Sequence, residues 1–587
     1  MTAPLSRTTR LARAPLVAAL ALVLGASALS PVATASLAAH PGSPRADRVA
    51  VPLGGQRDEL RGRLSAWRAL AAAPSRPAGT VVVANCNDSG EGSLRSALEG
   101  AVSGDTIDLT HLACSTITLA TGLTTTVDDL TLQGPGAGDL AIDGAGASRV
   151  LAHAGYGTLT IDGLTLRNGS YTYGGPGIYG GLAPGACLLS AGSVTMSASV
   201  VEDCSASGWS VFGAALDVLG VLHLTDSRVS GVTATADATE ISATIYGGMV
   251  YAYAAYITGS TIRDATVSAT STSAFSGTMG GGIQGFQGAV LDHSRVSGVA
   301  VHVAGAKDSY AKGGGVASPK TVILIASTVT GNSVEGAPGV GASGPYGYIY
   351  NSAIAGGGVY IATIPRKGVY PSYLRDSTVS DNIVRVVDGE PGAYTLGGGG
   401  GVGSLSEIPL GVINSTISGN ASDLQGGGLY SRHKGGFAFT NATVTDNTAP
   451  TGAGIADQGD ASPYPLVLDS SIVAGNHLPD GSGSTEITTL HVIGGSHNLV
   501  GSANATLPGD TLGGDPLLGA LADNGGPTRT HALLAGSPAI DSGSNPLALA
   551  ADQRGEGFAR EYGTAPDIGA FERQPLPDRI FGDGFDG

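Results

Sequence analysis

Gly280-Gly281-Gly282-Ile283 and Gly313-Gly314-Gly315-Val316 decide how this chain folds, because each is followed 13 residues later by an aliphatic residue, Val296 and Val329. The glycine cluster returns as Gly174-Gly175-Pro176-Gly177-Ile178, Gly356-Gly357-Gly358-Val359, Gly426-Gly427-Gly428-Leu429 and Gly452-Ala453-Gly454-Ile455, with weaker copies ending at Leu216, Val250 and Val402. A second mark, polar-Ser-x-aliphatic, recurs as Asp226-Ser227-Arg228-Val229, Asp376-Ser377-Thr378-Val379, Asn414-Ser415-Thr416-Ile417 and Asp469-Ser470-Ser471-Ile472. The two marks keep their distance: Leu216 to Val229 is also 13 residues and Val250 to Ile262 is 12. From Val200 the second mark then repeats at 29, 33, 34, 33, 50, 38, 27 and 28 residues.

Nearly constant strands joined by variable connectors are the signature of a solenoid whose insertions gather in its loops. Within each mark small or aliphatic residues alternate with polar ones, so one side of each strand points inward and the other outward. The expected fold is all-β, a right-handed parallel β-helix of about twelve coils, roughly 55–60 Å long at roughly 4.8 Å per stacked strand. A β-sandwich explains the alternation but not a glycine cluster at a fixed distance from a strand. Thr116-Ile117-Thr118-Leu119, Leu130-Thr131-Leu132 and Leu159-Thr160-Ile161 read as opening coils. Asn332, Asn382, Asn420 and Asn447 each follow a second-mark aliphatic residue by three positions, which predicts an amide ladder at one corner.

Composition agrees. Gly accounts for 94 of 587 residues and charged residues for only 13%, which leaves little material for long amphipathic helices. The formal net charge is −17, and the three arginines of residues 1–35 come without any acid. A chain this acidic is no partner for nucleic acid, which calls for clustered Lys and Arg.

Arg7, Arg10 and Arg13 precede an apolar run from Ala14 to Leu29 and an Ala33-Thr34-Ala35 cleavage pattern, so residues 1–35 read as a secretory signal peptide. No later segment is apolar enough for a transmembrane span in the mature chain. Export makes disulfides the expected state of Cys86, Cys114, Cys187 and Cys204. Three pairings are open, and nearness in sequence favours Cys86 with Cys114 and Cys187 with Cys204.

The remaining divisions are a leader or linker at 36–79, an N-terminal cap at 80–115, repeats at 116–480, a loop-rich C-terminal domain at 481–572 and a tail at 573–587. Asn85-Cys86-Asn87-Asp88-Ser89-Gly90-Glu91-Gly92-Ser93-Leu94-Arg95-Ser96-Ala97-Leu98 resembles the CSLREA-type N-terminal segment of bacterial surface β-helix proteins, with Gly92 and Ser96 departing from the motif. Ser496-His497-Asn498-Leu499-Val500, Asp523-Asn524-Gly525-Gly526-Pro527-Thr528, Gly536-Ser537-Pro538-Ala539-Ile540-Asp541, Asp552-Gln553-Arg554-Gly555 and Asp567-Ile568-Gly569-Ala570-Phe571-Glu572 resemble the choice-of-anchor Q domain. In its family that domain follows β-helix repeats and precedes cell-surface anchoring signals. The ending Arg579-Ile580-Phe581-Gly582-Asp583-Gly584-Phe585 resembles a short terminus of exported proteins in some Gram-negative bacteria.

β-Helices also carry polysaccharide enzymes, whose chemistry needs neighbouring carboxylates, and Asp203, Asp226, Asp264, Asp292 and Asp376 lie close to second-mark strands. They form no fixed doublet, and no nucleotide loop, HExxH or GxSxG element occurs. No catalytic residue and no metal ligand is therefore assigned, and Ca²⁺ is the one cofactor that the acidic balance leaves open. Arg228 and Arg295 share an outward column with Thr261, Thr328, Thr378, Thr416 and Thr443. The residue after each first-mark aliphatic position is also expected to face outward, and there stand Tyr179, Tyr251, Tyr360 and Tyr430, with Tyr253 two residues beyond Tyr251. Such a column offers rings and hydroxyls to successive sugars. The expectation is a secreted or cell-surface adhesin or glycan-binding scaffold whose partner is an extracellular glycan or a host or cell-surface component. A polysaccharide lyase or glycoside hydrolase is the alternative.

Overall fold

The computed structural model describes residues 76–574 apart from 174–180, 240, 275, 306–308, 338–351, 363–370, 388–394, 433–435, 460–464 and 484. The signal peptide, most of the leader and nearly all of the tail lie outside the described residues.

The chain is a parallel β-helix. Its strands stack into three sheets, here A, B and C, of 23, 18 and 7 strands among the described residues. One coil shows the path: Ser276–Met279 in sheet C, Ile283–Asp292 in sheet A and Arg295–Gly305 in sheet B, after which Ser309–Lys312 returns to sheet C. Each strand pairs in parallel with its counterpart one coil on, as in Ile283↔Val316 and Val296↔Val329.

The two sequence marks are the two sides of a corner. The glycine cluster turns the chain from sheet C into sheet A, and Gly280 and Gly313 there have φ of 68° and 73°, a region that a Cβ disfavours. A Cβ on Gly280 would also stand 2.4 Å from the Ile283 carbonyl oxygen. The second mark turns sheet A into sheet B. Its polar first residue takes the left-handed conformation, with φ of 47° at Asp226, 53° at Asp376 and 49° at Asn414, which explains the Asp and Asn at that place. The serine that follows bonds in two directions. Ser227 Oγ donates to the Thr225 carbonyl and accepts the Ser199 amide of the preceding coil, and Ser260, Ser294, Ser327 and Ser377 repeat the arrangement.

Inside, Val229, Ile262, Val296, Val329, Val379, Ile417 and Val444 stack in register with no solvent exposure. Each such side chain contributes roughly 1.5–3 kcal/mol, yet no coil buries its face without neighbours. The expected amide ladder is present and longer than its four residues. Nδ2 of Asn332, Asn382, Asn420 and Asn447 each donates to Oδ1 of the next, at 2.8–2.9 Å, through to Asn476. Asn476 donates in turn to Glu486 Oε2 at 2.6 Å.

The ladder of strands enters the segments on both sides of 116–480. Thr80–Val82 and Asp105–Asp108 pair with each other, and the latter pairs with Leu130–Gln133. Between them runs the helix Leu94–Glu99, capped by Ser93, with Leu94 and Leu98 buried. Arg95 donates to the carbonyls of Thr121 and Gly122 and to Asp88, fastening this helix to the first coils. Two disulfides, Cys86–Cys114 and Cys187–Cys204, match the pairing that sequence proximity favours. At the other end Ile487–Thr489, Ile493–Ser496 and Leu499–Val500 continue the sheets.

Residues beyond this last coil fold back along the outside of sheet B. The Thr378–Thr416–Thr443 column is covered there: Thr378 donates to the Arg529 carbonyl, Thr416 to Gln553, and Thr443 accepts the Ala570 amide. Asn414 and Asn441 donate to the carbonyls of Ala551 and Ser544. A small apolar cluster of Ile472, Leu499, Leu533, Ile568 and Phe571 completes the contact.

Candidate functional site

The tyrosine column expected on the surface is not there. Tyr251, Tyr360 and Tyr430 are buried, at 0%, 1% and 2% exposure, and Tyr179 lies outside the described residues. They do point away from the aliphatic core. However, the glycine turns fold sheet C back over the first half of sheet A, and the angle between the two is filled. Phe212 packs on Tyr246 and Tyr251 with ring centroids 5.1 and 5.3 Å away, and Lys312 Nζ lies 5.5 Å from the centre of the Tyr360 ring. Burial raises the pKa of both Tyr360 and Tyr430. Strand alternation separates core from outside, but it does not say whether the outside is covered.

Tyr253 is the exception, 39% exposed. It was expected on the same face as Tyr251, but the register slips between Ala252 and Ala254, and this bulge re-aims the strand. Past the bulge the outer face of sheet A carries a different stripe. His223, Tyr256, Val290, Ile323 and Tyr373 follow one another in register on successive coils. Tyr256 is 44% exposed and stacks on His223, their ring centroids 5.0 Å apart and their planes within 11°. Tyr253 and Phe286 stand beside the stripe, 6.2 Å centroid to centroid.

The stripe has a polar margin. Thr225, Thr258, Asp292, Ile325 and Arg375 form the next outward column. Asp292 bonds His293 Nδ1 at 2.7 Å, and Lys320 bonds Gln287. Burial raises the pKa of Tyr373, while Arg375 lowers it and Asp292 raises it. The arrangement joins half-exposed rings and aliphatic side chains to hydroxyl, carboxylate and guanidinium groups, the mixture that a sugar ring's apolar face and hydroxyl rim require. Sequence reading missed the stripe although its signal is regular: each member lies six residues before a second-mark aliphatic residue, from His223 and Val229 to Tyr373 and Val379.

No protein-family model, curated protein or solved structure matches this chain. Its chemistry must therefore be read from its own side chains.

The carboxylates singled out for glycoside chemistry have structural places. Asp203, Asp226 and Asp376 occupy left-handed turn positions, and Asp264 has the same backbone conformation within the strand Thr261–Ser271. Asp203 and Asp226 lie against the glycines of the following coil, Gly231 and Gly259, where a Cβ would not fit. Asp264 pairs with Arg263 at 2.8 Å, and Asp376 accepts from Asn414 at 2.7 Å. Among the described residues no group of three or more His, Cys, Asp and Glu converges as metal ligands would. The Arg228–Thr261–Arg295–Thr328 column runs in the expected register along sheet B.

Proposed function

We propose that this protein works outside the cell as a β-helical scaffold that binds extracellular glycan through the outer face of sheet A. One observation carries the reading: the exposed Tyr256, flanked by Tyr253 and Phe286 and continued by Val290, Ile323 and Tyr373 at one residue per coil. Scattered apolar residues on a surface need no explanation, but a contiguous aromatic and aliphatic row with a polar margin marks an interaction site. Consecutive coils rise about 4.8 Å, so the row meets an extended polymer at several successive sugars. Two disulfides are compatible with an oxidising compartment, and no described helix is long and apolar enough to cross a membrane. Export and surface attachment rest on the N-terminal sequence and on the resemblances of residues 85–98 and 481–572.

The test is retention of purified protein on a panel of immobilised polysaccharides, with Tyr253→Ala/Tyr256→Ala as the variant. Exposed substitutions change stability by about 0.5 kcal/mol or less, so fold is preserved. Retention should fall at least about tenfold, a loss of roughly 1.4 kcal/mol. Equal retention by the variant removes sheet A as the binding face. The same incubations reveal unsaturated products or new reducing ends, either of which would replace the scaffold reading with the polysaccharide lyase or hydrolase.

A further inference from the structure

The outer face of sheet B is open in the early coils and covered in the late ones, and its open part contains a trough that the sheet A reading does not use. Five strands form its floor. Thr116, Ala141, Thr165, Val200 and Arg228 stand in one outward column, and Thr118, Asp143, Arg167, Glu202 and Ser230 in the next. Because the first column is small up to Arg228, it leaves a hollow of about 480 Å³ beside the second. On the far side of the second column lies another hollow, about 620 Å³, lined by Asp143, Asn168, Ser170, Asp203 and Ser205. The charged column is thus a ridge between two depressions.

The ridge is tied together across coils. Arg167 bonds Asp143 and Arg228 bonds Glu202, both at 2.8 Å, and Asn168 Nδ2 donates to both Asp143 oxygens at 3.0 Å. Burial by itself would raise the Asp143 pKa, but the Ala145 amide, Asn168 and Arg167 together hold it below the ordinary value, so it stays ionised. Two carboxylates and two guanidinium groups sum to zero charge and are already oriented, so a ligand need not order them. Capacity for further bonds remains. The Arg228 side chain is 41% exposed beyond its bond to Glu202, and Asp203 and Ser205 are exposed at the rim.

We propose that this trough is a second saccharide site, distinct from the sheet A stripe, and that it takes neutral, diol-rich sugar units. An anionic ligand would have to break a ridge ion pair to gain one of its own, and the Asp203 carboxylate at the rim repels it. Vicinal hydroxyls both donate and accept, so they bond carboxylate and guanidinium edges without disturbing either pair. The two hollows then hold sugar rings on either side of the ridge.

Calorimetric titration of the protein with gluco-, manno- and xylo-hexasaccharides, and with polygalacturonate as the charged counterpart, tests this. At least one neutral hexasaccharide should bind, with little dependence on salt. Ser205→Trp, which fills one hollow from an exposed position, and Arg228→Met should each weaken binding at least about tenfold. Tyr256→Ala should leave it unchanged. The proposal is overturned if no neutral hexasaccharide binds, if Ser205→Trp binds as the unmodified protein does, or if polygalacturonate binds more tightly and salt removes it. Loss of neutral-glycan binding in Tyr256→Ala alone sinks the trough and supports the sheet A reading. Loss in Ser205→Trp alone supports the trough and leaves the sheet A reading to its own retention test.

Discussion

Arg560 and Glu572 form an ion pair 2.8 Å long in which neither side chain is exposed to solvent. The pair stands in the segment that folds back over sheet B, beside Arg554 and Asp552, which are paired at 2.6 Å. Arg560 also donates to the carbonyls of Asp567 and Gly569, so it holds the turn leading to Phe571.

Removing one member of such a pair leaves the other charge buried without compensation, at a cost of about 3–5 kcal/mol. Arg560→Met should therefore release residues 515–574 from sheet B before the coils unfold. Hydrogen exchange by mass spectrometry would register faster exchange there and unchanged protection in Ile283–Asp292. Uniform loss of protection in both places would show that the folded-back segment is not a separate cooperative unit.

Asn420 sits in the middle of the amide ladder, accepting from the backbone and side chain of Asn382 and donating to Asn447. Asn420→Ala strands buried donors on one side and an acceptor on the other, which costs about 1–3 kcal/mol. Thermal denaturation should show a lowered midpoint. Asn420→Asp should lower it further, because it keeps the acceptor but turns a charged oxygen toward the Val379 carbonyl and Asn447 Oδ1, which themselves only accept there.

His531 is buried at the same interface. Its Nδ1 lies 2.7 Å from the Gly519 carbonyl, which can only accept, so Nδ1 carries a proton, and Nε2, 2.7 Å from the Ser418 hydroxyl, accepts from it while the ring is neutral. Burial lowers its pKa, while the Gly519 bond and Asp446, 4.0 Å away, act in the opposite sense without reversing it. A histidine whose folded pKa is depressed contributes stability that is complete above the unfolded value near 6.5 and is lost as pH falls from there through the folded pKa. Glu572 in the same segment, raised by burial to about 7, acts in the opposite sense as pH falls, so the histidine is read as a difference: between neutral pH and mild acid, limited proteolysis of residues 515–574 should increase more, or decrease less, in the unmodified protein than in His531→Asn. A variant with the same acid sensitivity would assign it to other groups.

The aliphatic positions, the glycine turns and four of the five ladder asparagines were legible in the sequence because each repeats at a fixed offset within its coil. Asn476 was harder to find: its second-mark partner reads as Ile472, whereas the residue in step with Val444 is Val473. The burial of Tyr251, Tyr360 and Tyr430 was not legible. It depends on the angle at which sheet C meets sheet A, a relation between strands rather than a period along one. Tyr253 was read correctly as exposed, but for a reason that fails at the bulge between Ala252 and Ala254. The trough on sheet B depends on which neighbouring columns are small, and that becomes visible only once Val200 and Glu202 are set beside Thr165 and Arg167.

The amide ladder has a direction, and its direction limits how this architecture can change in length. Every asparagine passes its side-chain N–H forward, from Asn332 to Asn476, and the series stops at Glu486, whose carboxyl oxygens accept from the Asn476 side chain and from the Gly475 and Asn476 amides. At the opposite end Asn332 rests on backbone groups, accepting the Val299 amide and reaching the Val296 carbonyl. A duplicated coil placed anywhere between Asn332 and Asn476 would find a donor behind it and an acceptor ahead. One placed after Glu486 would meet a closed terminus. Growth and shrinkage of the ladder are therefore confined to its interior, and Glu486 serves as its full stop.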